Sequence, residues 1–356
     1  MFSLQTTICE LFQIDYPLIQ AGMAGGPTTV ELVAEVSNAG GLGTLGAAYM
    51  TPEALRKAIK EIQSKTEKPF AVNIFASSEQ DDFNRLAEVQ KALSPFRSEL
   101  EISNLEPTYS SPNWSGEQFN VCIEEDVSII STAFGCFSKD QMKIVKERKV
   151  KTVVMITTVE EAILAEKSGA DAVVAQGSEA GGHRSTFSLA QHSFGAQIGT
   201  MSLVPQVVDA IEIPVIAAGG IVDGRGLIAS LALGAQGVQI GTRFVTAKES
   251  GAHALYKQAI FGSTEESTVV TKSFSGRPAR GIKNRFIREF EQSGIEPLPF
   301  PSQNIVTKDI RAAAAKLENA EFMSLWAGQS TRSLIEEEVA AEIVQEIMKE
   351  AKKLLT

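Results

Sequence analysis

Residues 213–244 read IPVIAAGGIVDGRGLIASLALGAQGVQIGTRF. A short apolar run, a glycine pair, a helical stretch over 224–233 and a second apolar run make one strand–helix–strand unit. Gly234 follows the Ala-rich amphipathic stretch at the place where a helix end usually needs a left-handed residue. Neither apolar run alternates with polar residues, so both of its faces are covered, as in a parallel sheet.

The same unit repeats along the chain. PLIQAGM, GLGTLG, PFAVNIF, DVSIIST, KTVVMIT and DAVVAQG precede it as strand candidates, with helices predicted over 28–39, 52–65, 81–100, 138–148, 159–168 and 203–211. Thr28 with Glu31 and Thr158 with Glu161 have capping-box spacing, Thr51 precedes a first-turn proline, and Gly40 and Gly169 repeat the helix-end glycine. Eight such units favour an α/β TIM (β/α)8 barrel over an open doubly wound sheet, and a barrel collects its active site at the C-terminal ends of its strands. Two segments break the repeat: 77–125, containing EPTYSSPNWSGEQF, and 262–330, containing SFSGRPARGIKNRF. Insertions of that length read as a lid or a smaller domain. The expected division is a barrel over 1–261 with the 77–125 excursion, an inserted smaller domain or lid over 262–330, and a C-terminal helix within 331–356, its pattern strongest over 333–355, packing back on the barrel.

The chain has 356 residues, 44% of them hydrophobic, enough for a sizeable core. A formal net charge of −10 argues against nucleic acid and anionic membranes as partners. Cys9, Cys122 and Cys136 are widely spaced and form no metal or disulfide pattern, which fits a reducing cytoplasm. The first twenty residues carry acids and lack the basic start and apolar core of a signal peptide, and no apolar run approaches a membrane span.

Three constellations stand at strand ends. AAGGIVDGRG (217–226) after the seventh strand and QIGTRF (239–244) after the eighth sit where barrels hold a phosphate, on backbone N–H groups and a helix N-terminus. AGMAGG (21–26), Asn73 and Gln176 offer carboxamides and backbone amides to the polar edge of a flat heteroaromatic ring. In VAQGSEAGGHRST (174–186), Gly181 and Gly182 let the chain pass close to a ligand and aim His183 into the mouth, a suitable base for an acidic C–H proton. The chain's other two histidines, His192 and His253, have no comparable setting. Lys272, Arg277, Arg280 and Lys283 are candidate cations for an anionic substrate, although most charges of this kind end on solvated surface.

PLIQAGMAGGPTTVELVAEVSNAGGLGTLGAAY, FAVNIFA, VAQGSEAGGHRSTF, IPVIAAGGIVDGRG and GVQIGTRF, in that order, resemble the bacterial nitronate monooxygenases, formerly 2-nitropropane dioxygenases, and the likeness extends to FSGRPARGIKNRF. The resemblance implies FMN held without a covalent bond and oxidation of alkyl nitronates, such as propionate 3-nitronate, by O2 to a carbonyl compound and nitrite. It implies FMN contacts from Asn73, Gln176, Gly181, Gly182, Gly219, Gly220, Gln239, Ile240, Gly241 and Thr242, with Met23 and Ala24 flanking the ring. His183 matches the catalytic base, which deprotonates a nitroalkane or orients the nitronate. No metal is implied, the partners are the small nitronate and O2, and a homo-oligomer stays open. Gly22 and Ser185 depart from the Pro and Gly of many relatives, which bears on loop geometry. The competing resemblance is to FMN-dependent enoyl-[acyl-carrier-protein] reductases, which use NAD(P)H, and a third reading is a ligand-binding barrel without turnover.

Overall fold

The computed structural model describes residues 3–77, 79–103 and 108–356. Parts of the 77–125 excursion, residues 78 and 104–107, lie outside these. Eight parallel strands form the barrel: β1 (Leu18–Gln20), β2 (Gly43–Gly46), β3 (Phe70–Phe75), β4 (Ile129–Ala133), β5 (Lys151–Ile156), β6 (Ala172–Gln176), β8 (Val215–Ala218) and β9 (Gly237–Ile240). All eight predicted strands are present in the predicted order. The seam between β1 and β2 closes through Leu42, whose N–H donates to Leu18 O and whose carbonyl accepts from Gln20 N–H, each at 2.9 Å.

Strand pleating divides the core in two. Ile19, Ala71, Ile129, Val153, Val174 and Ile216 point into the barrel and pack over Ile8 and Phe12 of the helix Thr7–Phe12, which plugs its base. Their neighbours Leu18, Val154, Val173, Ala217, Val238 and Ile240 point outward against the helices. Near the barrel mouth the inward positions are held by Asn73, Gln176 and Gln239 instead of hydrophobes, the change of chemistry that marks the ligand end.

Helix starts follow the capping rules with two adjustments. Thr51 caps Pro52–Lys65 by accepting from Ala54 N–H. Thr29, not Thr28, caps Val30–Asn38. Thr28 Oγ1 instead donates to Met23 O and accepts from Gly46 N–H, tying the first loop to β2. Thr158 accepts from Glu161 N–H, but the Glu161 carboxylate turns to Thr157 and Phe187 rather than completing a box. Gly40, Gly169 and Gly234 all adopt φ between +94° and +97°, the left-handed helix end that an L side chain disfavours.

The helix packed beside β3 is Ser115–Glu124, not the one predicted over 81–100. That stretch forms Leu86–Glu99, which leaves the barrel and packs Phe96 against Phe286 and Phe322. Its apolar stripe is real, but periodicity does not say which partner buries it. The segment 262–330 contributes β10 (Thr268–Thr271) and β11 (Ala279–Ile282), which form an antiparallel sheet with β7 (Gly182–His183). The C-terminal helix begins at Ala340 rather than 333. The acidic run before it is drawn to basic partners: Glu338 pairs with buried Arg243 and Glu337 with Lys257. No helix of the described residues is long and apolar enough to cross a membrane.

Candidate active site

A cavity of about 1000 Å3 opens at the C-terminal ends of the strands, between the barrel and the helices Ser302–Val306 and Lys308–Lys316. Met23, Ala24, Asn73, Gln176, Gly181, Gly182, His183, Gly219, Gly220, Gln239, Gly241 and Thr242 all line it. Ile240 does not. It is one residue past Gln239, so the pleat turns its side chain outward into the core, while its carbonyl accepts from Ala21 N–H. A smaller depression of about 490 Å3 over the helix Pro52–Lys65, lined by Glu53, Arg56, Lys57 and Lys60, lies on the outer surface far from these groups.

His183 is fixed from several sides. As part of β7 it pairs with Ala279, and the next residue donates from Arg184 N–H to Pro278 O at 2.7 Å. Gln176 spans the loop: its amide nitrogen donates to His183 O and its amide oxygen accepts from Ser185 N–H, both at 2.9 Å. Gln176 thus spends much of its hydrogen-bonding capacity on holding the histidine loop. Beneath the loop, fully buried Arg184 donates to the carbonyls of Gln176, Gly177 and Ala196. Ser185 does more than the glycine of many relatives, donating to Met155 O and accepting from Phe134 N–H.

The ring of His183 lies 2.8 Å by Nε2 from Ser275 Oγ, which donates in turn to Arg277 O at 3.0 Å. With the hydroxyl proton committed to that carbonyl, Nε2 is the donor and Nδ1 carries the lone pair. Phe134, Phe300 and Trp326 surround the imidazole at centroid distances of 6.1, 6.2 and 5.5 Å. Burial first, then the cations Arg277 and Arg311, push its pKa down to about 3, so the ring is neutral at ordinary pH.

Of the four candidate cations, none lines the cavity. Arg277 is fully buried, pairs with Glu79 and stacks 3.9 Å over Phe134, where it supports the wall behind His183. Arg280 donates to Ser178 O, Lys272 pairs with Glu296, and Lys283 is exposed. The cations that do line it are Arg311 and Lys308, which reading the sequence missed. Their stretch has an ordinary helical pattern, and only the fold brings it over the barrel.

The glycine loops after β8 and β9 also line the cavity, and the N–H groups of Gly219, Gly220 and Thr242 have no acceptor among the described residues. The helix N-terminus expected beside them is already taken. Asp223 caps Gly224–Ala232 by accepting from Gly226 N–H, and Gly224 N–H donates to Glu350. The helix starts a turn beyond the loop and its orphan donors are satisfied by the chain, so only the loop amides are available. Of the two remaining histidines, His192 is exposed and His253 caps the helix Ala254–Phe261 while lining the cavity.

A family model described as nitronate monooxygenase matches residues 5–350. The chain is 45% identical over 353 residues to a probable nitronate monooxygenase of Staphylococcus saprophyticus, covering 99% of both, and 44% identical over 350 residues to one of Staphylococcus haemolyticus, covering 98% of both. Among solved structures, a nitroalkane oxidase from Streptomyces ansochromogenes superposes with a TM-score of 0.90 at 36% identity, covering 98% of this chain and 99% of that one. FabK from Thermotoga maritima gives 0.78 at 33% identity, covering 99% and 98%. With the barrel, the strand-end amides and the histidine loop in place, the chain belongs to the nitronate monooxygenase family, a family of flavin-dependent oxidoreductases.

Proposed function

We propose that this enzyme binds FMN in the barrel mouth and oxidises alkyl nitronates with O2 to a carbonyl compound and nitrite. The observation that carries the reading is a neutral histidine, held rigidly by the chain, facing a cavity whose polar lining is left unsatisfied at the places a flavin needs partners. Gln239 has a carboxamide with no protein partner among the described residues, and Asn73 uses only its amide nitrogen, on Ser131 Oγ at 2.9 Å. These groups suit the polar edge of the ring, with Met23 and Ala24 at its flank. The free amides of Gly219, Gly220 and Thr242 suit the phosphate. Ile240 contributes through its neighbours and not through its own side chain. The proposed layout assigns the barrel to FMN and the 262–330 segment to the cover over the substrate, joined to the His183 loop by the β7–β11 ladder.

Bound FMN supplies the electron acceptor for the nitronate and the site at which O2 is reduced. The chain's own residues do the rest. With Nε2–H held by Ser275, what His183 offers the substrate is the lone pair on Nδ1, so it takes the acidic C–H proton of a neutral nitroalkane, a step that a preformed nitronate does not need. An arriving negative charge raises the imidazole's pKa, and the ring then accepts a proton at Nδ1 more readily than in the free enzyme. Phe134, Phe300 and Trp326 keep water from the reacting carbon.

The competing reductase reading has the FabK likeness in its favour, but the TM-score of 0.90 to the nitroalkane oxidase exceeds that of 0.78 to FabK. The test is His183→Ala in the flavin-loaded protein. Retained flavin with lost activity on neutral nitroalkanes, and a smaller loss on preformed nitronates, supports the reading. Unchanged activity on both substrates contradicts it.

A further inference from the structure

Resting on the nitronate reading, we infer that Ser185 and Phe134 together decide which nitronates the site accepts. The Ser185 hydroxyl holds the Phe134 ring beside His183, where it leaves room for one substituent on the reacting carbon, so primary nitronates are preferred to secondary ones. Phe134 directly follows β4 and lines the cavity. Its backbone has φ 71°, in the left-handed region that a bulky side chain rarely enters and keeps only where its surroundings enforce it. Ser185 supplies that enforcement. Its buried hydroxyl donates to Met155 O on β5 at 3.1 Å and accepts from Phe134 N–H at 3.2 Å, bridging the ends of two neighbouring strands. Phe134 N–H has no other acceptor among the described residues, so a side chain without a hydroxyl at 185 leaves a buried amide unpaired and frees the backbone that aims the ring.

The ring so placed has little room to give. The Arg277 guanidinium lies 3.9 Å from its centroid, Phe75 stands 4.5 Å away and Phe300 6.0 Å. It meets the imidazole of His183 edge to face, at 6.1 Å and 80°. Of the three rings around His183, Phe300 and Trp326 belong to the added segment, whereas Phe134 stands on a strand end and is fixed to the barrel itself. A carbon brought within reach of Nδ1 turns its substituents toward these rings. One alkyl chain leaves along the open part of the cavity, and a second substituent meets the Phe134 wall.

The experiment measures kcat/KM of the flavin-loaded wild type, Ser185→Ala, Ser185→Gly and Phe134→Leu for ethyl nitronate and propyl-2-nitronate. Perturbation of flavin absorbance by propionate and by 2-methylpropanoate, unreactive mimics of the same two shapes, reads the binding preference without turnover. The wild type is expected to prefer the primary compound by about tenfold, the scale on which a pocket distinguishes one methyl group, and Phe134→Leu to remove most of that preference. Ser185→Ala and Ser185→Gly should each reduce it by about two- to tenfold, the range of one neutral hydrogen bond. In the Phe134→Leu background Ser185→Ala should change it no further, because the hydroxyl acts through the ring. An unaltered preference in every variant, equal losses on both compounds, an effect of Ser185→Gly without one of Ser185→Ala, or a full Ser185 effect in the absence of the Phe134 ring overturns the inference. If neither nitronate reduces the flavin yet the variants reorder binding of the two carboxylates, the nitronate reading fails and the size limit set by Ser185 and Phe134 stands.

Discussion

At the level of single residues the site turns on how His183 is held neutral. In the unfolded chain its pKa is the ordinary 6.5, and in the fold burial, Arg277 and Arg311 lower it to about 3. Between these values the unfolded chain binds a proton that the folded one does not, so the histidine's contribution to stability is fully present above pH 6.5 and is lost as the pH falls toward 3. Denaturant titrations of wild type and His183→Asn across that window should show a steeper decline on acidification in the wild type; identical slopes would mean the ring is not held neutral. Ser275 is expected to fix the tautomer, so Ser275→Ala should shift the acid limb of the pH–rate profile while Ser275→Thr preserves it. His183 was legible in the sequence because two glycines and a strand end flank it. Ser275 and Arg311 were not, and Arg277 was singled out only as a cation for the substrate, since the relation of all three to the ring is made only by the added segment folding over the mouth.

Among the elements, the closest constraint is the crossing of the histidine loop by the extended segment leading to Gly328. A Cβ at Gly181 would stand 2.6 Å from both Ala327 C and Gly328 N, backbone atoms that cannot move aside cheaply. Gly181→Ala is therefore expected to part the loop from the added segment and lower both thermal stability and activity, measured by a thermal melt and by turnover of a preformed nitronate. A second element-level link ties the C-terminal helix to the loop after β8: buried Arg243 pairs with Glu338 and Glu346 and donates to Val222 O at 2.8 Å. Arg243→Met should cost about 2 kcal/mol of stability, below the strongest buried-pair cases because both carboxylates are partly exposed, and a denaturation midpoint checks it. The strands, their order and the helix-end glycines were readable because each rests on local chemistry. The destination of Leu86–Glu99 and the blocked N-terminus of Gly224–Ala232 were not, because they depend on partners distant in the chain. Ile240 is an intermediate case, since alternation along GVQI already places it opposite to Gln239.

For the whole molecule, a parallel barrel with polar residues at the upper inward positions and helices over its mouth, tied to the histidine loop by the β7–β11 pairing, frames one partly open cavity. The proposed binding of FMN to the folded chain predicts that adding it at about 100 times its dissociation constant stabilises the protein by about 2.7 kcal/mol, seen as a concentration-dependent rise in Tm. A nitronate-oxidising enzyme and an NAD(P)H-dependent reductase differ in what donates electrons to the flavin, and the two are separated by mixing the flavin-loaded protein anaerobically with propionate 3-nitronate and, separately, with NADH, and following flavin absorbance. Bleaching by the nitronate but not by NADH is the predicted result, and rapid bleaching by NADH with none by the nitronate would contradict it.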